Sequence, residues 1–335
     1  IKIVQKCSED ERDELSGYIY KYAAIAFEKE AEIEKAVDNM HISVKFFQKT
    51  DKKEVLAETI FRLAELYIDI ENFDRALSQL YDALLLIEEK KNPELSAKVY
   101  KRIGDIHSSL GDYYKSSDYY NRCLKIAQTI KNKSLIAEAT NELGLVYFKT
   151  DELEKSKKLF LKSIRLFSDS GEVGKMIVPL VNLSKLYNHL SDLKKAKDNL
   201  LKAASLVDEE DVLNKCRINL ELGKFYMKEG KFSETENYLL IADSFAKRLN
   251  SSALKAEINY EIYLNFKKTN KYKKALFHLE QYNSFKDKIL NQQILDNHQR
   301  LNILFDINSM KKESESFRSR SIELTQMNKE IVEQK

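Results

Sequence analysis

The side chains able to ligate a metal or attack an electrophile are few in this 335-residue sequence, and they lie far apart. Cys7, Cys123 and Cys216 stand roughly a hundred residues from one another, which is neither a disulfide framework nor a metal spacing. The five histidines, His41, His107, His189, His278 and His298, fall in no ligand pattern. No phosphate-cradling glycine loop, nucleophile elbow or zinc-protease signature is present. The sequence therefore predicts no metal, no cofactor and no catalysis within these residues. His107 and the thiols of Cys123 and Cys216 read as packed core groups, and the cysteine usage points to a reducing, cytoplasmic setting. Asn182-Leu183-Ser184 spells a glycosylation sequon, but Leu183 falls on an apolar helical stripe. A lysine run, Lys267, Lys268, Lys271, Lys273 and Lys274, has the charge to meet phosphates. Few exposed aromatics accompany it, and Asn270 and Tyr272 read as a turn, so the run is a solvated loop. Neither nucleic acid nor a membrane is expected as a partner.

What elements could hold such a sequence follows from its composition. There are eight glycines and two prolines, where an average protein would devote roughly 12% of its residues to the two types. Barrels, sandwiches and doubly wound sheets need more turn formers than that, so an all-α fold remains. Hydrophobic residues make up 43% and charged residues 33%, enough for a core and a solvated exterior. The 56 basic and 53 acidic side chains leave a net charge of +3, too little for a global field. The longest uncharged apolar runs, such as 83–87, fall far short of the roughly 20 residues that span a bilayer. The chain opens on Ile1 rather than Met, and is read as a segment of a longer protein.

A repeat organises the helices. Leu143-Gly144-Leu145-Val146-Tyr147 with Leu153, Ser156, Phe160 and Ser163 aligns, 40 residues earlier, with Ile103-Gly104-Asp105-Ile106-His107 and Tyr113, Ser116, Tyr120 and Cys123. The frame recurs from starts at 17, 57, 97, 137, 177, 216 and 256. Within a unit, apolar residues three and four apart form two stripes joined by a short turn such as Leu110-Gly111-Asp112-Tyr113. Each unit is therefore a helical hairpin. Small residues (Ala64, Gly104, Gly144, Ser184, Gly223) mark where its helices cross closely, and Tyr67, Tyr147, Tyr187 and Tyr226 fill the space toward the next unit. A single hairpin cannot bury its apolar face, so the units stack.

This small-aromatic-small pattern resembles the tetratricopeptide repeat, and the 40-residue spacing is similar to the variant of peptide-sensing bacterial regulators, kinesin light chains and polarity adaptors. The likeness covers 17 to about 295 and departs from the family in lacking its tryptophan and its repeat-end proline. It implies a right-handed α-solenoid of seven hairpins, preceded by a helical cap over 1–16. It also implies that the first helices line a groove for a peptide or protein segment, with Arg62, Glu65, Lys98, Lys101, Arg102, Asn141, Asn182, Lys185 and Arg217 among the exposed inner positions. There, Arg62, Lys98, Lys101 and Arg102 would hold a carboxylate. Asn141 and Asn182 would hold a peptide backbone through their amides. The carboxylate clamp of chaperone-binding members is not expected, because Ile25 and Arg62 stand where its asparagines belong.

Beyond residue 295 the period changes. Ile303, Met310, Phe317, Leu324 and Ile331 recur every seven residues, with Ile307, Ser314, Ser321 and Asn328 at the second heptad position. The spacing predicts a long helix over 296–335 with a weak coiled-coil seam and a homodimer through it. Its approach resembles the junction between a tetratricopeptide sensor and an output domain in bacterial signalling proteins. The expected function is that of a regulatory domain that binds a peptide or protein, changes curvature and shifts the C-terminal helix. A stand-alone scaffold is the alternative. Another is the non-catalytic part of a diguanylate cyclase, serine phosphatase or histidine kinase whose catalytic domain follows Lys335.

Overall fold

The computed structural model describes residues 9–290, apart from 31, 88–90 and 250. Thirteen α-helices follow one another: α1 (Glu9–Lys29), α2 (Ile33–Phe47), α3 (Lys53–Asp69), α4 (Phe73–Leu86), α5 (Pro93–Ser109), α6 (Tyr113–Thr129), α7 (Lys133–Lys149), α8 (Leu153–Asp169), α9 (Ile177–His189), α10 (Leu193–Ala204), α11 (Val212–Lys228), α12 (Phe232–Ala246) and α13 (Ser252–Lys268). A short 3-10 turn, Val173–Met176, leads into α9, and residues 272–290 form a further helix, α14. No strand occurs among the described residues. Consecutive helices pair into hairpins, and neighbouring first helices also touch, α3 with α5, α5 with α7, α7 with α9, α9 with α11 and α11 with α13. This is the all-α solenoid expected from the repeat. Residues 9–16 begin α1 itself, and α3, α5 and α7 each start four residues ahead of the repeat frame.

The hairpin turns explain how so few glycines suffice. From the α3–α4 turn to the last, one residue in each adopts a left-handed conformation: Glu71 (φ 60°), Gly111 (78°), Asp151 (64°), Ser191 (62°), Gly230 (76°) and Asn270 (58°). Only two of these six are glycine. The next N–H reaches back to the carbonyl of the aromatic-slot residue: Asn72 to Tyr67, Asp112 to His107, Glu152 to Tyr147, Asp192 to Tyr187, Lys231 to Tyr226 and Lys271 to Phe266, all at 2.8–2.9 Å. The left-handed residue's own N–H meets a second carbonyl, as Glu71 meets Ile68 at 2.9 Å, so two otherwise orphaned carbonyls per helix end are satisfied, which offsets the strain of a side chain at positive φ. The donor then stands at the N-cap position of the following helix, where the carboxylates of Asp112 and Asp192 accept from the N–H groups of Lys115 and Lys195 at 3.1 and 3.2 Å.

Packing inside each hairpin is a match of small against large. A Cβ on Gly144 would lie 2.8 Å from the Phe160 ring, and one on Gly104 2.7 Å from the Tyr120 ring. The same register places Ala64 against Leu80 and Ser184 against Leu200, all buried. Hydroxyls fix the helix separation: Ser156 donates to the Gly144 carbonyl, Ser163 to Ala137 and Ser184 to Ala196, each at 2.8 Å. His107 is buried and stacks on Tyr119 at 5.5 Å with parallel rings, so it serves as a core aromatic. Burial pushes the thiols of Cys123 and Cys216 up to about 12 and 11, keeping them protonated and inert.

Candidate functional site

Because neighbouring first helices touch, their remaining surfaces merge into one inner face running from α1 to α13. Its charged side chains form a ladder between helices. Arg62 on α3 donates to both carboxylate oxygens of Glu28 on α1 at 2.8 Å, and to Glu65 at 2.8 Å. Glu65 in turn accepts from Arg102 on α5 at 2.9 Å, and Arg102 reaches Asp105 at 3.2 Å. Lys101 lies 3.5 Å from Asp105 and 3.7 Å from Glu138 on α7, and Lys175 is 3.5 Å from Glu138. Asp105 also accepts from the buried Tyr120 hydroxyl at 2.9 Å. A second run joins Lys185 on α9 to Glu221 on α11 at 3.4 Å, then Glu221 to Lys224 at 3.1 Å and Lys224 to Glu257 on α13.

Between the two runs the link is uncharged. Asn182 Nδ2 on α9 donates to Asn141 Oδ1 on α7 at 3.1 Å, and Asn141 Nδ2 donates to Glu142 Oε1 at 2.9 Å. Burial and the nearby Asp105 charge raise the Glu142 carboxyl above its ordinary value. Asp69 is raised in the same way, by burial and then by Glu28 and Glu65. Burial alone would lower Lys101, yet Asp105, Glu142 and Glu138 hold it above its usual value, so the ladder stays charged.

The nine residues picked out from the sequence are not all equally presented. Glu65, Lys98, Lys101 and Arg102 come together with Phe61, Leu135 and Glu138 around a hollow of about 270 Å³ spanning α3, α5 and α7. Arg62 adjoins it through Glu65. Lys98 is exposed and, among the described residues, pairs along its own helix with Glu94 at 2.7 Å. Asn141 and Asn182 were expected to be exposed, but they are 3% and 8% accessible, because close contact of α7 with α9 draws them into the seam. Lys185 is tied to Glu221, itself 4% exposed. Arg217 is exposed and forms no ion pair among the described residues. The basic cluster is thus already matched by carboxylates, and the hollow is a balanced site with two apolar walls, Phe61 and Leu135. It suits a ligand carrying both signs of charge rather than a lone anion.

Glu28, Glu138, Lys175 and Glu257 escaped the sequence reading. For Glu138 and Lys175 the signal is an offset: Glu65 and Arg102, Lys101 and Glu138, Glu138 and Lys175, and Lys21 and Glu58 are opposite charges 37 residues apart, one repeat less about one helical turn. Glu28 and Glu257 pair at 34 and 33 residues, nearly a turn shorter still. The lysine run of the last hairpin is held by Glu236, 2.7 Å from Lys271 and 4.0 Å from Lys274, with both lysines over the Phe266 ring. Among the described residues no group of His, Cys, Asp and Glu could hold a metal ion, and no helix is long and apolar enough to cross a membrane. The heptad residues Met310, Phe317, Leu324, Asn328 and Ile331 lie outside the described residues.

Tetratricopeptide repeat family models match residues 55–129 and 137–170. Among curated proteins none matches the chain in sequence. Solved structures do match in fold. The apo form of RapI is 15% identical over 82% of this chain and 99% of its own, with a TM-score of 0.67. Aspartyl phosphate phosphatase F from Bacillus subtilis is 12% identical over 85% of this chain and 73% of its own, with a TM-score of 0.70. The Rap conjugation gene regulator of plasmid pLS20, in complex with the Phr* peptide, is 14% identical over 82% of this chain and 74% of its own, with a TM-score of 0.64. At these identities the likeness is one of fold.

Proposed function

We propose that this tetratricopeptide-repeat solenoid is a peptide-binding regulatory domain, and that its ligand is an extended peptide of mixed charge lying along the inner face of α3 to α11. The observation that carries the reading is the hollow lined by Phe61, Glu65, Lys98, Lys101, Arg102, Leu135 and Glu138. Three successive hairpins contribute to it, so a ligand seated there bridges them. The Asn141 and Asn182 amides, next along the face, have more hydrogen-bonding capacity than the bonds between them use. Arg217 follows as an exposed guanidinium suited to a carboxylate. The pLS20 regulator, similar in fold, was solved with a peptide bound, which supports the same class of ligand here.

Fluorescence anisotropy with a pool of labelled five- to seven-residue peptides tests this. Saturable binding is expected, weakened at least tenfold by Phe61→Ala with Lys98→Ala and by Arg217→Ala, with helicity unchanged. Equal affinity in all three proteins would move the site off this face.

Transmission through the C-terminal helix belongs to the same proposal and rests on the heptads 303–331. Light scattering on the full chain and on a truncation ending at residue 295 is expected to show a dimer that becomes a monomer. A monomer in both would favour the plain scaffold.

A further inference from the structure

The outer face carries a pattern that the groove does not use. Leu161 on α8, Leu201 on α10 and Leu240 on α12 are 46%, 52% and 44% exposed. They occupy one register position, each directly following the buried residue that fills its hairpin: Phe160, Leu200 and Leu239. Scattered surface leucines need no explanation. Three in register on successive second helices make a ridge, and aligned exposed apolar residues mark an interaction surface.

The charges around the ridge differ from those inside. On the inner face almost every cation has a carboxylate partner, as the ladder shows. Beside the ridge Lys158, Lys162, Lys194 and Lys202 are exposed and form no ion pair among the described residues, and Arg165 meets only the exposed Asp169 at 3.7 Å. Lys158, Lys162 and Arg165 sit three before, one after and four after Leu161, so they surround it on the α8 surface. At its far end the ridge runs into an apolar hollow of about 460 Å³, where Leu240 is joined by Phe266 and Phe277 with Glu236, Lys273, Lys274 and His278 at the rim.

From this we infer that the outer face of α8, α10 and α12 docks an acidic amphipathic helix of a partner protein. Its apolar stripe lies on the three leucines, its carboxylates meet the unpaired lysines, and a terminal apolar side chain fills the hollow. The three leucines recur once per hairpin, and a docked helix with an apolar residue at every seventh position presents one column of side chains to them. A bilayer fits less well. Asp198 stands within the basic strip and Glu234 and Glu236 on α12 beyond it, so the face is not uniformly positive, and Trp is absent from the sequence.

The test uses the full chain and a synthetic 18-residue helix-forming peptide with leucine at every seventh position, glutamate beside each leucine and a terminal phenylalanine. A counterpart with lysine for glutamate is the control. The acidic peptide is expected to bind saturably and the basic one not to bind. Leu201→Asp, and separately Lys158→Glu with Lys162→Glu, are expected to weaken binding at least tenfold with unchanged circular dichroism. The substituted side chains are exposed, so folding is not at stake. Phe61→Ala in the inner hollow is expected to leave this binding unaltered. The inference is overturned if the acidic peptide does not bind, or if Leu201→Asp binds it as well as wild type. It is also overturned if phosphatidylglycerol vesicles, rather than the peptide, are what the wild type binds and Leu201→Asp loses.

Discussion

Replacing Gly144 by alanine and Phe160 by leucine, singly and together, measures the small-against-large match on which each hairpin rests. The alanine methyl would stand 2.8 Å from two carbons of the Phe160 ring and 3.3 Å from the Leu159 Cβ, inside the normal contact of about 3.5–4.0 Å. The backbone has little room to retreat, because Ser156 and Ser163 tie α7 to α8 on both sides of the contact. Overpacking of this kind costs about 1–3 kcal/mol, and the better helix propensity of alanine returns about 1 kcal/mol. Gly144→Ala should therefore destabilise by up to about 2 kcal/mol. Phe160→Leu removes part of a fully buried ring and should cost about 1 kcal/mol, well below the 3–5 typical of Phe→Ala. In the leucine background the clash is gone and the pair becomes what Ala64 and Leu80 already are in the second hairpin, so the added alanine should stabilise. The coupling is then about 2 kcal/mol, read from urea unfolding of the four proteins by circular dichroism. If the two effects add within about 0.5 kcal/mol, the close crossing is not what selects glycine at this position.

Two further predictions concern buried polar groups. The Thr140 hydroxyl is fully buried with no hydrogen-bond partner among the described residues, and Thr140→Val should raise stability by about 1 kcal/mol, since an unmet buried donor costs about 1–3 kcal/mol; a lower Tm would show that the hydroxyl has a partner. Glu142→Gln keeps an oxygen for Asn141 Nδ2 and removes a carboxylate that burial and Asp105 disfavour. A carboxyl raised on folding binds its proton more tightly in the native state, so its ionised form destabilises at pH above the raised value and that penalty fades as pH falls through it. The variant should melt higher than wild type at pH 8 and lose the advantage toward pH 4; a difference independent of pH would refute the assignment.

Period and residue size were enough to read the hairpins. A 40-residue repeat, a small residue facing a large one and an aromatic slot leave few ways to stack helices, and His107 fell into its core place because the slot wants a flat ring. The turns were legible where they hold glycine, at Gly111 and Gly230, and at Asn270. At Glu71, Asp151 and Ser191 the same left-handed residue is sustained by the backbone bond that follows it, which no residue type announces. The inner face was half legible. Family positions found Arg62, Lys101 and Arg102, but exposure was overestimated for Asn141 and Asn182, because accessibility there depends on how closely α7 approaches α9. The partners of the basic residues were missed because they sit on the neighbouring first helix, 33 to 37 residues away, an offset set by the tilt of stacked first helices and invisible within any single repeat.

That offset has a consequence for how a ligand would act. Ion pairs within one helix, such as Lys98 with Glu94, constrain nothing beyond that helix. Glu28 with Arg62, Glu65 with Arg102, Lys101 with Glu138, and Glu221 with Lys185 each span two hairpins, so their lengths report the spacing of the hairpins. On the proposed reading, a peptide of mixed charge exchanges some of these bonds for its own, and its affinity is the difference between the two sets, not their sum. The bonds exchanged are the ones that set the separation of neighbouring first helices. Binding and curvature then draw on the same interactions, and a ligand that replaces two rungs of the ladder shifts the stack without any dedicated hinge. The uncharged Asn141–Asn182 link, where the ladder is interrupted, is where such a shift meets the least electrostatic resistance.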